Sequence, residues 1–152
     1  MRKFALLAAL ALVVGCAKKE APPAPEPPPV APPAPAPIDM SAVAGTWDMK
    51  TMAAGSDSVL VTYTMTATAD TSGWTLNFPK RKPVPMTITV SGDSVMGSSA
   101  PYESVLRKGV TVRTTSVFHL VNGQLMGSAM AYYSKGPDSV KALHTAGTKH
   151  AM

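Results

Sequence analysis

From Gly45 onward the side chains alternate with a period of two, and that pattern leaves little but antiparallel sheet open to the chain. Val59, Val61, Tyr63, Met65, Ala67 and Ala69 fall on one face. Thr62, Thr64, Thr66 and Thr68 fall on the other, with Leu60 the single exception. β-branched threonine suits the wet face of a half-buried strand. Met86, Ile88 and Val90 alternate with Thr87 and Thr89 in the same way. Val110, Val112, Phe118 and Leu120 share a face that Thr114 and Ser116 interrupt.

Turn residues divide this pattern into strands. Ser91-Gly92-Asp93 separates two short ones, and Asn122-Gly123 between 118–121 and 124–130 is a strong hairpin signal. Strands are expected near 46–52, 59–69, 74–78, 85–91, 94–99, 110–121, 124–133 and 139–149. No stretch carries a capped helical period. Short links favour antiparallel neighbours, so the expectation is an all-β, up-and-down sheet of about eight strands, enough to close into a barrel. A two-sheet β-sandwich is the alternative. The folding unit is residues 41–152, long enough for one core. With one cysteine in 152 residues, that core has no disulfide to hold it.

The amino terminus has a different character. Arg2 and Lys3 precede an apolar run over residues 4–14, and Gly15-Cys16 closes it. This is the layout of a secretory signal over residues 1–15, cut after Gly15. Eleven apolar residues at about 1.5 Å each fall short of a hydrocarbon layer roughly 30 Å thick, so the run is no permanent span. Val13-Val14-Gly15-Cys16 resembles the lipobox of bacterial lipoproteins. The resemblance implies a diacylglyceryl thioether on Cys16, which becomes the first mature residue and anchors the protein to a membrane. In this class the next residue influences sorting. Ala17 is not the aspartate that goes with retention at the inner membrane, so in a host with two membranes the outer one is expected.

Residues 16–40 read as lipidated cysteine plus linker. Ten of the fifteen prolines fall within residues 22–37, and the segment offers only Val30 and Ile38 as branched aliphatics, too few for a core. Dense proline favours an extended, disordered stalk reaching on the order of 70 Å. Net charge is +5, falling to +3 once Arg2 and Lys3 leave. No basic face with recognition elements is evident, so no nucleic-acid partner is expected.

Gly45-Thr46-Trp47 on the first strand resembles the Gly-x-Trp signature of lipocalins and related calycin barrels, and the likeness in strand pattern covers most of residues 43–149. In that family the tryptophan closes one barrel end and a basic residue late in the last strand packs across the indole. Lys149 is the matching candidate. The chain is also similar to small bacterial exported domains that start Gly-x-Trp and end in a Thr-Arg-like pair. The resemblance implies a ligand space, and the candidates to border it are Tyr63, Met65, Phe118 and Tyr133.

Catalytic patterns are not evident. No serine sits in a Gly-x-Ser-x-Gly setting, and most carboxylates among Asp48, Asp57, Asp70, Asp93, Glu103 and Asp138 fall in turn-like segments. His119, His144 and His150 lack ligand spacing, although His144 and His150 would meet if the tail folded back. Met49, Met65, Met86, Met96, Met126 and Met130 lie within strands and read as core filling rather than as a copper site. Lys80-Arg81-Lys82, flanked by Pro79 and Pro83, reads as a solvated turn that discourages edge aggregation. Contact with anionic headgroups or a cell-wall polymer is the second reading. The stretch from Tyr102 to Gly109 reads as the longest ordered loop, a common place for binding residues. The expected function is therefore a non-enzymatic, lipid-anchored envelope protein without cofactor or metal. It would bind a small apolar ligand or an envelope partner; the alternative is a structural or assembly lipoprotein with a filled core and no ligand. A hydrolase, which would need an acid or histidine gathered beside a nucleophile, is the third reading.

Overall fold

Asn122 and Gly123 adopt φ of 51° and 76°, the left-handed pair that a tight hairpin requires, and they join two strands whose register runs unbroken from Val121↔Gln124 to Val112↔Tyr133. The computed structural model describes residues 36–151. The segment read as a signal peptide, Gly15, Cys16 and the part of the expected stalk through residue 35 lie outside the described residues. Within them the elements are α1 (Met40–Val43), β1 (Gly45–Ala53), β2 (Val59–Ala67), β3 (Thr75–Asn77), β4 (Val84–Ser91), β5 (Ser94–Ser99), β6 (Tyr102–Glu103), β7 (Thr111–Val121), β8 (Gln124–Tyr133) and β9 (Val140–Lys149).

Neighbours in the sheet run β1-β2-β3-β4-β5-β7-β8-β9, and β9 returns to β1. Every pairing is antiparallel, so the sheet is a closed eight-stranded up-and-down barrel, with β6 an extra short strand paired to the start of β7. The sandwich alternative does not occur, because β1 and β9 pair from Trp47↔Lys149 through Ala53↔Leu143 and leave no open edge.

Local chemistry explains the departures from the expected elements. The strand near 74–78 is reduced to three paired residues. Its partner β4 follows Pro83 and contains Pro85, which cannot donate to a ladder, and the β3–β4 pairing has only two residue pairs. Trp74, Leu76 and Phe78 nevertheless keep the inward alternation, all three being buried. Helix α1 has four residues, too few to show a period, and its start is fixed by Asp39, whose carboxylate accepts from the Ser41 amide at 2.9 Å. Contact with the barrel already starts at Ile38, inside the segment read as linker: its amide donates to the Gly92 carbonyl at 2.9 Å.

The interior is unevenly filled. At the end where β1, β3, β5 and β8 begin, Val43, Trp47, Met49, Met65, Trp74, Val95, Phe118 and Leu125 are all less than 2 % exposed. Each such side chain contributes about 1.5–3 kcal/mol of burial. Gly147 and Gly127 face them, and a Cβ on Gly147 would collide with the Met49 sulfur. We call this the closed end. The opposite, loop end carries the connections 54–58, 78–83, 100–110 and 134–139, with a smaller core of Val112, Ala129, Ala131, Tyr133 and Leu143.

Candidate functional site

Between the two cores the inward positions become hydroxylic. Thr51 on β1, Ser116 on β7 and Thr145 on β9 are buried, and Thr114 is half-buried. Strand alternation forces this placement: Trp47 and Met49 point inward, so Thr51 does too, and Leu143 and Gly147 carry Thr145 with them. Together with Tyr63 these groups line a cavity of about 50 Å³ at the loop end, whose remaining wall, apart from Ser104 and the rings of Tyr102 and Tyr133, is apolar and includes Leu76, Phe78 and Leu143. No charged side chain lines it. On this measure a water needs about 10–15 Å³, so the space suits a few waters and is far below the roughly 300–1,000 Å³ of sites for drug-sized ligands.

One polar atom in this wall is unmatched. Thr145 is 2 % exposed, and its Oγ1 has no hydrogen-bond partner among the described residues. A buried hydroxyl without a partner costs about 1–3 kcal/mol.

Aromatic rings close the side of the barrel where β2 and β3 share only three residue pairs. The Tyr63 and Phe78 rings lie 5.2 Å apart, and Phe78 and Tyr102 stack at 5.3 Å. Burial pushes the Tyr63 phenol above its ordinary range. Burial, reinforced by the neighbouring Tyr63, pushes Tyr102 up to about 12. Both rings are therefore neutral hydrogen-bonding groups at any physiological pH.

The 104–110 loop covers the mouth. Ser104 is buried, and its Oγ accepts from the amides of Leu106 and Arg107 at 3.1 and 3.0 Å. Arg107 reaches across to the 134–139 loop, donating to the carbonyls of Pro137 at 2.8 Å and Asp138 at 3.3 Å, with its guanidinium 4.0 Å from the Tyr133 ring centroid. Arg81 donates to the Glu103 carbonyl at 2.6 Å and so ties the basic loop to the same cover. These bonds fix the backbone while Val105 and Leu106, which border the cavity, remain 42 % and 43 % exposed.

The residues singled out in the sequence divide between the two ends. Gly45, Trp47 and Lys149 come together at the closed end. Trp47 Nε1 donates to the Val43 carbonyl at 2.7 Å, while Lys149 Nζ lies 5.6 Å from the indole centroid and donates to the Ala42 carbonyl at 3.1 Å. Gly45, at φ 133°, leaves room for the lysine stem: a Cβ there would stand 3.0 Å from Lys149 Cε. Tyr63 and Tyr133 line the cavity. Met65 and Phe118 do not; they are buried in the closed-end core.

Met49, Met65 and Met86 fill the core, but Met96 and Met126 point outward and are 39 % and 42 % exposed, because Val95 and Leu125 take the inward positions beside them. His144 and His150 do not meet: His150 Nδ1 lies 2.8 Å from Asp48, whereas His144 stands opposite Met52 farther along β9. Asp93, Ser94 and His119 cluster at the closed end, but Ser94 and Asp93 both approach the same ring nitrogen, at 3.3 and 3.7 Å. A serine relay needs the two imidazole nitrogens to face different partners. Comparison with known protein families, curated proteins and solved structures finds no match to this chain.

Proposed function

We propose that this chain is a lipid-anchored cell-envelope protein that binds a small uncharged molecule at the loop end of its barrel and performs no covalent chemistry. The anchoring part rests on the sequence: the apolar run, the lipobox-like Val13-Val14-Gly15-Cys16 and the proline-rich arm after it, with Ala17 favouring the outer membrane. The Gly-x-Trp resemblance to lipocalins is consistent with a ligand carrier.

A single observation carries the binding part: the Thr145 hydroxyl, buried without a partner, in a charge-free cavity bordered by other hydroxyls. Such a wall rewards a ligand with an apolar body and one hydrogen-bonding group over a pure hydrocarbon, because a hydrocarbon that takes the place of water there leaves the Thr145 hydroxyl unpaired. Entry of anything beyond a few waters requires the 104–110 loop to lift. The second reading, a structural or assembly lipoprotein with a filled core, is favoured by the cavity's small volume of about 50 Å³.

Phenol titrated into residues 17–152 and followed by amide NMR separates the two. The ligand reading expects shifts concentrated at Tyr63, Thr145 and the 104–110 loop, and a several-fold weaker response in Thr145→Val. Absent or scattered shifts would leave the filled scaffold.

A further inference from the structure

We infer that the loop end is a docking surface for anionic lipid. This inference does not depend on what the cavity holds. Charge is segregated along the barrel axis. The loop-end connections carry Lys80, Arg81, Lys82, Arg107, Lys108 and Lys135 against Asp57, Glu103 and Asp138. The closed-end connections carry Asp39, Asp70 and Asp93 and no lysine or arginine, Lys149 at the end of β9 being the cation on that side. Among the described residues, the ion pairs within 4 Å both involve histidine, at the closed end, so none of the loop-end cations is held in a close ion pair and they outnumber the carboxylates of the same loops.

The apolar side chains at this end select lipid over a hydrated polyanion. Val105 and Leu106 lie at the tip of the covering loop, flanked in sequence by Arg107 and Lys108, and Val59 and Val140 are each 48 % exposed at the same end. A soluble polymer gains nothing from aliphatic side chains, whereas a headgroup layer offers phosphate to the cations and acyl boundary to the aliphatics. The tip is already ordered by the Ser104 and Arg107 hydrogen bonds, so little freedom is lost on docking. Ile38 bonds to the barrel at the closed end, through the Gly92 carbonyl.

The test uses residues 17–152, which hold the whole closed barrel and lack Cys16, so that no acyl chain contributes. Co-sedimentation compares vesicles of phosphatidylcholine mixed with phosphatidylglycerol against phosphatidylcholine alone, with soluble polyphosphate as a separate ligand. We expect binding to the anionic vesicles only, weakened by salt. Binding should fall at least about tenfold both in Val105→Ser/Leu106→Ser and in Lys80→Glu/Lys82→Glu. All four sites are exposed, and unchanged circular dichroism verifies the fold. Absence of binding, equal binding to neutral vesicles, or loss in the charge variant alone with polyphosphate bound as tightly by both wild type and the serine variant would overturn the inference, the last pointing to an anionic polymer. Thr145→Val should leave vesicle binding unchanged, which keeps this result separate from that of the cavity.

Discussion

The ammonium of Lys149 lies 5.6 Å from the ring centroid of Trp47 and in the same pose donates to the carbonyl of Ala42, so one side chain ties the last strand to the first and to the helix before it. A partly exposed cation over an indole is worth about 0.5–1 kcal/mol, with a net hydrogen bond of similar size. Lys149→Ala should lower stability in urea denaturation by about 1–2 kcal/mol. Trp47→Ala, which also empties part of the closed-end core, should cost about 3–5 kcal/mol.

Gly147 on β9 pairs directly with Met49 on β1, and the methionine side chain lies over it with no room for a methyl group. Gly147→Ala should destabilise by about 1–3 kcal/mol through overpacking. Adding Met49→Val should recover part of that loss, and a double-mutant cycle should give a coupling of at least about 0.5 kcal/mol. Additive effects would show that the two side chains do not share the space.

Alkaline titration probes the aromatic row. Tyr102 ionises at about 12 in the folded protein, above the ordinary value of 10.0. Its contribution to stability is fully present below the unfolded value and is lost as pH rises from about 10 to about 12, because the unfolded chain gives up its proton first. On the order of 2 kcal/mol should disappear across that window. Tyr102→Phe should flatten the decline measured by urea midpoints, and tyrosinate absorbance should show late-ionising groups.

Much of the barrel is legible in the sequence because its information is local. The threonine face opposite Tyr63 and Met65, and the Asn122-Gly123 turn, each act within a few residues, and the strands they specify form where the pattern places them. β6 and α1 escape because two and four residues cannot display a period. The cavity left a faint trace: Thr114 and Ser116 break an inward apolar face, which reads as an interruption when the hydroxyls of Thr51 and Thr145 are not known to stand beside them. That meeting is set by the pairing of β9 with β1, Thr51↔Thr145, between strands some ninety residues apart in sequence. The separation of Tyr63 and Tyr133 from Met65 and Phe118 has the same origin, since position along the barrel axis depends on register. The outward aim of Met96 and Met126, by contrast, was available from the parity of Val95 and Leu125.

The tether is the premise on which the envelope reading depends, and intact-mass analysis of the protein extracted from native membranes tests it most directly. The expected species is a mature polypeptide beginning at Cys16 and heavier than its sequence by a diacylglyceryl group and further acyl chain. A chain that retains residues 1–15, or one that begins elsewhere without fatty acid, would contradict it.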